Sequence, residues 1–315
     1  MGAPRIGQLA LLAVVVLALL APAARAACRV LIVSGDPGAD PAWAHQFDDW
    51  RTRWQKMLTT TYGVPAANVT VLRQADPAAP DAATRDHVLA ALKELTHTAT
   101  ADDQVVLVFI AHAYHARGDT AKLCLPGPHL SDADIATALH NMPAGRLITI
   151  ILAPDTELFA KSLRGPNRIT ILADTKPSAP YFCEFLLRAL EPGHGTVLEA
   201  FNNASLQTTR WYQNQFVGDD GVVTVHGKDF QELFHRFYPD RAMTPGQDQP
   251  QAADNNPEHI DQWNGRRIVP EVAGLDDNGD GEASTLFMAG AEPAPLPNKD
   301  SKDGALAQTT TLGHN

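Results

Sequence analysis

Residues 105–111, which read VVLVFIA, carry the strongest strand signal in the chain. Every residue in the run is apolar, and the run leads directly into His112. A strand with one face in water alternates apolar and polar residues, whereas a parallel strand covered by helices on both faces is apolar throughout. The stretch therefore predicts a central strand of a parallel sheet with helices on each side.

Outward from this strand, apolar runs alternate with segments whose apolar residues are spaced three or four apart. Further strands are predicted at residues 28–33, 68–72, 147–153 and 168–173. Helices are predicted at residues 43–62, 81–95, 131–141, 156–163, 179–190, 197–215 and 228–238. Such alternation is typical of parallel sheets with right-handed crossovers. The predicted fold is α/β, a three-layer sandwich in which helices flank a mostly parallel sheet, with a C-terminal extension of helices and loops.

The N-terminus has the pattern of a secretory signal peptide. Arg5 precedes an apolar run over residues 9–20, and Ala24 and Ala26 offer small residues for cleavage. A run of about 12 apolar residues is short for a hydrocarbon core about 30 Å thick. We expect cleavage after Ala26, export to the periplasm or the cell exterior, and no stable membrane span afterwards. A retained membrane anchor and lipidation of Cys28 are the alternatives.

Charge and cysteine content narrow the function classes. The formal net charge of the chain is −11. An acidic surface without a basic stripe repels phosphate groups, so nucleic acid is not an expected partner. The three cysteines, Cys28, Cys124 and Cys183, are too few for a disulfide scaffold. Any pair of them could form a bridge, and Cys183 is expected to lie in the core.

Two of the predicted apolar strands end at positions that bear on the function of the protein. The strand at 105–111 runs into His112 and Ala113, and the strand at 147–153 runs into Pro154. This order resembles the caspase/legumain group of cysteine peptidases, in which one apolar block precedes His-Gly and a second precedes Ala-Cys. Two further segments are similar to bacterial members of that group, residues 125–134 and 163–168. The resemblance covers about residues 28–204 and implies a caspase-like sheet.

The resemblance also assigns roles to single positions. The histidine of the family falls on His112, and the glycine whose backbone N–H contributes to the oxyanion hole falls on Ala113. The cysteine falls on Pro154, which has no nucleophilic atom, so no acyl-enzyme can form there. Leu152 replaces the acidic or polar residue that precedes the cysteine by two positions. The implied protein is a peptidase relative that has lost catalysis and binds a protein or peptide partner.

Catalytic alternatives stay open at this stage. A relocated nucleophile would make the protein a cysteine-type or hydroxyl-dependent peptidase, with Cys124 or Thr156 as the candidates. A metal-assisted hydrolase would instead use the loop that begins at the family histidine. Its candidate ligands are His112, His115, Asp119 and Asp155. A third reading is a structural protein stabilised by calcium.

Residues 276–282, DDNGDGE, resemble the first half of a calcium-binding loop. The candidate ligands are Asp276, Asn278, Asp280 and Glu282. Gly281 allows the tight turn, but the twelfth position is Phe287 rather than the bidentate glutamate of an EF-hand. Either a weak Ca²⁺ site or an ordinary turn rich in Asp and Asn accounts for the pattern. No other cofactor is expected.

The predicted domain organisation has four parts. Residues 1–26 form the signal peptide and residues 27–204 the caspase/legumain-like domain. Residues 205–289 form an extension that packs on this domain and contains the calcium-like loop. Residues 290–315 combine Pro, Lys, Asp, Thr and Gly without apolar periodicity and are expected to be disordered.

Overall fold

The computed structural model describes residues 26–38, 41–116, 118, 120–154, 156–173, 181–213, 215–217, 223–225, 271–286, 295–298 and 301–313. The predicted leader up to residue 25, the predicted helix at 228–238 and the loop that follows it lie outside the described residues.

The described strands, in chain order, are β1 (Cys28–Ser34), β2 (Val69–Leu72), β3 (Gln104–Ile110), β4 (Ala113–Ala116), β5 (Thr120–Leu123), β6 (Leu130–Ser131), β7 (Arg146–Leu152), β8 (Arg168–Leu172), β9 (Gln215–Val217), β10 (Val223–Val225), β11 (Gly274–Asp276) and β12 (Ser284–Thr285). Seven of them form the central sheet in the order β12-β11-β8-β7-β3-β1-β2. The five strands from β2 to β8 in that order pair in parallel, while β11 and β12 pair antiparallel at the edge. The mostly parallel α/β sheet is therefore confirmed.

The described helices are α1 (Pro41–Lys56), α2 (Arg85–Thr98), α3 (Asp132–Ala138), α4 (Glu157–Leu163), α5 (Tyr181–Leu190) and α6 (Val197–Gln213). Apolar side chains of α1, α5 and α6 pack on one face of the sheet, and those of α2, α3 and α4 pack on the other. Because both faces are covered, every residue of β3 is buried. Every helix in these ranges is too short or too polar to cross a bilayer.

Helix α2 begins four residues later than the sequence pattern predicts. After β2, the backbone of Arg73 exchanges hydrogen bonds with Asp81 and Ala83, so residues 81–83 are held beside the sheet. The helix then begins after Thr84, whose side-chain oxygen accepts a hydrogen bond from the amide of His87 over 3.3 Å. The backbone pairing at 81–83 therefore delays the helix.

Helix α3 begins with a capping box. The side-chain oxygen of Ser131 accepts a hydrogen bond from the amide of Asp134, and the Asp134 carboxylate accepts one from the amide of Ser131, each over 3.1 Å. Two amide groups at the helix start are satisfied in this way. Thr156, expected to cap α4, makes no side-chain capping hydrogen bond.

The expectation of a disordered tail from residue 290 is wrong for residues 301–313. Ala307 and Leu312 are buried in the same core cluster as α1 and α6. The amide of Val197 donates to the carbonyl oxygen of Thr310 over 2.8 Å, and the side chain of Gln104 donates to that of Thr311 over 2.9 Å. A sequence without apolar periodicity folds here because backbone hydrogen bonds fix it against the core.

The boundary placed at residue 204 is also wrong as a structural division. It falls inside α6, which continues from Val197 to Gln213 without interruption. Strand β11 joins the central sheet by pairing with β8, and Leu275 lies fully buried in the core. Residues 271–286 therefore complete the sheet of the main domain.

Candidate functional site

The carboxyl ends of β3 and β7 lie side by side. The two strands pair in parallel along their whole length, and the last pair joins Ile110 to Leu152. The amide of Ala111 continues this pairing by donating to the carbonyl oxygen of Leu152 over 3.3 Å. His112 and Pro154 each follow two residues after the last pair, so these two predicted positions lie together at one edge of the sheet.

The imidazole of His112 is held by the loop after β1 and by α1. Its Nε2 atom lies 2.8 Å from the carbonyl oxygen of Pro37. Because a carbonyl oxygen only accepts, Nε2 carries the proton and donates it. The ring centroid lies 5.5 Å from that of Phe47 and 6.0 Å from that of Trp43. One ring nitrogen is thus occupied by backbone, and two aromatic side chains fix the ring.

Ala113 begins β4, the first strand of a small antiparallel sheet with β5 and β6. Ala113 pairs with Leu123, while the amide of Cys124 donates to the carbonyl oxygen of His112. Hydrogen-bonded and non-hydrogen-bonded pairs alternate in antiparallel strands, so the N–H of Ala113 points away from β5. The backbone donor expected at this position therefore remains outside the small sheet.

Two residues that lie close to Pro154 in the chain are packed into the protein interior. Leu152 and Thr156 are fully buried, and Leu152 belongs to the core cluster of α1 and α5. Pro154 itself is half-buried and supplies neither an N–H group nor a nucleophile. Asp155 lies outside the described residues.

Cys124 is the cysteine that lies closest in the fold to His112. It is half-buried, and its carbonyl oxygen accepts a hydrogen bond from the amide of Asp36 over 2.9 Å. Gly35 is required beside it, because any side chain there would collide with the Cys124 carbonyl oxygen. Burial raises the pKa of the Cys124 thiol, and the negative charge of Asp36 raises it further. Both effects disfavour the thiolate that nucleophilic attack needs.

The other two cysteines are buried away from this edge. Cys183 has no exposed surface and packs in the core, as expected. Cys28 lies beside the side chain of Gln104, with Sγ 3.6 Å from Oε1, and burial is the main cause that raises its pKa to about 12. All three cysteines are free thiols, so no disulfide forms among them.

The described part of the chain gives little support to a metal-assisted hydrolase. No group of three or more His, Cys, Asp or Glu side chains there is placed to hold a metal ion. His115 is exposed on β4, and two of the four candidate ligands, Asp119 and Asp155, lie outside the described residues. The arrangement of those two with His112 stays a prediction.

A cavity of about 400 Å³ lies beyond the loop that contacts His112. Its wall includes Pro37 and Phe47, which also contact the His112 ring, and the charged side chains of Arg51 and Arg73. Sequence reasoning missed both arginines. In a sequence, a single arginine on a helix or after a strand indicates an ordinary charged residue on the surface. The fold brings these two arginines together in the wall of one cavity.

The calcium-like loop is closed by its own side chains. The two carboxylate oxygens of Asp276 accept hydrogen bonds from the amides of Gly279 and Gly281, each over 3.0 Å. Asn278 and Asp280 each accept one from the amide two residues later, over 2.8 Å. These are the bonds of Asx turns. Glu282 is exposed, and calcium binding by this loop stays a prediction.

Two further carboxylates, which sequence reasoning missed, connect this loop to the tail. Asp303 is 1% exposed, and it accepts hydrogen bonds from the amides of Asp277 and Asn278 and from the hydroxyl of Ser284. Asp277 accepts two in return, from the amides of Gly304 and Ala307 over 2.8 and 2.7 Å. These hydrogen bonds hold residues 301–313 against the acidic segment.

No protein-family model matches this sequence, and no curated protein is significantly similar to it. The resemblance to the caspase/legumain group therefore rests on the order and spacing of the segments quoted above.

Proposed function

We propose that the chain is an exported relative of the caspase/legumain peptidases that has lost its nucleophile and binds a protein or peptide partner. The observation that carries the proposal is the alignment of β3 with β7. It sets His112 beside Pro154, where the resemblance implies a cysteine. Without a nucleophile at that position the covalent step of the family chemistry has no starting atom.

The surroundings of His112 support a structural role for this side chain. A general base in a cysteine–histidine pair needs a ring nitrogen within hydrogen-bond reach of the thiol. The Nε2–H of His112 donates to the carbonyl oxygen of Pro37, so only Nδ1 could act as that base, and no cysteine thiol of the described residues forms a hydrogen bond with it. The ring rests against Trp43 and Phe47. In this state the imidazole joins the β1–α1 loop to the end of β3.

One observation favours the rival proposal of a cysteine-type peptidase. Cys124 lies across from His112 in the small sheet, so a thiol and an imidazole are backbone neighbours. Against it, burial and Asp36 raise the pKa of the Cys124 thiol. The rival therefore requires a rearrangement that brings the Cys124 thiol to Nδ1 of His112 and lowers this pKa.

The test is hydrolysis of a peptide library by the exported protein, with cleavage products identified by mass spectrometry. The proposal predicts no cleavage above that of the His112→Ala and Cys124→Ser variants. It also predicts that immobilised protein retains a subset of intact peptides. Cleavage that both substitutions abolish would contradict the proposal and support the rival, while failure to retain any peptide would contradict the binding role.

A further inference from the structure

We propose that the 400 Å³ cavity beside α1 binds the carboxylate group of a small ligand or peptide. Ligand pockets typically enclose about 300–1,000 Å³. The cavity lies where the chain leaves β1 and β2, at the carboxyl edge of a parallel sheet, which is where α/β proteins place their ligands. No residue in its wall was assigned a role above except through contact with His112.

Arg51 provides the more buried cation of the cavity. Its side chain is 15% exposed, and its Nη2 atom donates to a carboxylate oxygen of Asp48 over 2.5 Å and to the hydroxyl of Thr52 over 3.3 Å. Its Nε atom is buried from solvent and has no hydrogen-bond partner among the described residues, so a ligand in the cavity would bind the Nη groups. A guanidinium group has five N–H donors in a fixed plane, so Arg51 keeps donors that the protein leaves unused.

Arg73 faces the same space from the end of β2. Its Nε atom donates to a carboxylate oxygen of Asp81 over 2.6 Å, and its side chain is 48% exposed. Within the described residues no side-chain partner is recorded for its two Nη groups. Two N–H groups at the end of an arginine match the two oxygens of a carboxylate, and such bidentate pairs are stronger than neutral hydrogen bonds.

The charges around the cavity select a carboxylate over a phosphate. Asp48 also lines the wall, and Asp81 is paired with Arg73, so two negative charges lie close to the two positive ones. Asp48 repels any anion, and it repels a phosphate dianion about twice as strongly as a singly charged carboxylate at the same distance. The apolar surface of Phe47 and Ala44 offers contact for the carbon skeleton that carries the group.

This inference does not depend on the proposed loss of catalysis. The pocket uses neither the ring of His112 nor the position of Pro154. A peptide that is held here and then cleaved would contradict the proposed function and leave the carboxylate pocket intact.

The test is titration calorimetry of the full chain with three probes that separate the sources of a carboxylate. N-acetyl-alanyl-alanine carries a C-terminal carboxylate, N-acetyl-aspartyl-amide carries a side-chain carboxylate, and N-acetyl-alanyl-alanine amide carries none. We expect saturable binding of at least one of the first two and none of the amide. The acid that binds identifies the source of the group.

The variants are Arg73→Gln and Arg51→Gln, with Arg164→Gln as the control because Arg164 is exposed at the end of α4 and does not line the cavity. Each of the first two should weaken binding roughly tenfold or more, since each removes charge-assisted hydrogen bonds. The control should bind as the wild type does. Arg73 is half-exposed, so its variant is expected to fold even where Arg51→Gln does not, and thermal melting checks this.

Four results would overturn the proposal. They are equal binding of the amide, unchanged binding by the folded Arg73→Gln variant, tighter binding of inorganic phosphate than of either acid, and no heat from either acid at about 10 mM.

Discussion

Cys124 faces His112 across the start of the small antiparallel sheet, where the amide of Cys124 donates to the carbonyl oxygen of His112 over 2.8 Å. The two residues are therefore neighbours along their backbones, while the imidazole itself packs on Trp43 and Phe47. The Nε2–H of His112 donates to the carbonyl oxygen of Pro37, which leaves Nδ1 as the unprotonated ring nitrogen. Catalysis by the pair is opposed by burial and by Asp36, which raise the pKa of the thiol.

Placing a cysteine at position 154 should not create a peptidase. In Pro154→Cys the new thiol follows the strand next to that of His112, but the Pro37 carbonyl oxygen, Trp43 and Phe47 fix the ring, so Nδ1 cannot turn freely towards the thiol. Leu152 also remains buried in the core and forms no part of a substrate pocket. We expect slow labelling by an acyloxymethyl ketone, without a burst, as followed by intact-protein mass spectrometry. Burst labelling that His112→Ala removes would show that the ring is free to act as a base.

Removing the carboxylate of Asp303 should destabilise the whole domain. Asp303→Ala leaves the amides of Asp277 and Asn278 and the backbone and hydroxyl groups of Ser284 without their acceptor. Breaking such a buried network costs about 2–4 kcal/mol of unfolding free energy. Urea unfolding monitored by circular dichroism measures this cost. The control is Lys302→Ala, an exposed neighbour, which should change the free energy by no more than about 0.5 kcal/mol.

Acid should remove the contribution of Asp134 to stability. Two hydrogen bonds from the guanidinium of Arg85 are the main cause that lowers the pKa of this carboxyl to about 2. A lowered pKa means that the contribution is complete above the unfolded value of about 3.9 and is lost as the pH falls towards about 2. The difference in Tm between wild type and Asp134→Asn should therefore shrink from about pH 5 downwards. A difference that stays constant over this range would contradict the assignment.

Calcium should raise the Tm only weakly if the loop at 276–282 binds it. Both oxygens of Asp276 already accept amide hydrogen bonds, and position 287 lacks a bidentate glutamate. Low charge and few free ligands favour a Kd of roughly 10⁻⁴–10⁻³ M, as in extracellular modules. A concentration 100-fold above Kd would add about 2.7 kcal/mol. Asp280→Ala should abolish the rise, and equal melting in millimolar calcium and in chelator would reduce the segment to a turn.

The parallel core could be predicted from sequence because its signal is local. Each of the five parallel strands lies within one residue of its predicted bounds, since a strand covered on both faces must be apolar along its length. The edge that joins His112 to Pro154 followed from the same runs, because the carboxyl ends of neighbouring parallel strands meet. These parts of the fold depend on nearby residues only.

The rest of the structure depends on contacts between distant residues. Asp277 and Asp303 read as solvated acids in a polar segment, yet both are buried because amides from 26 to 30 residues away satisfy their oxygens. The contacts of Pro37 and Trp43 with His112 likewise arise only when the β1–α1 loop folds over the sheet. Such contacts leave no periodic pattern in the sequence. The sequence therefore does not predict the folded tail or the residues that hold His112 in place.

The central claim is that the edge containing His112 holds no activated nucleophile, and the pH dependence of alkylation at Cys124 tests it most directly. The protein is treated with iodoacetamide over a range of pH, and modification of each cysteine is followed by peptide mass spectrometry. The account predicts that Cys124 reacts only at a pH above that of an ordinary thiol, and that His112→Ala leaves the profile unchanged. A profile that rises near neutral pH and moves to alkaline pH in His112→Ala would show a working thiol–imidazole pair and contradict the account.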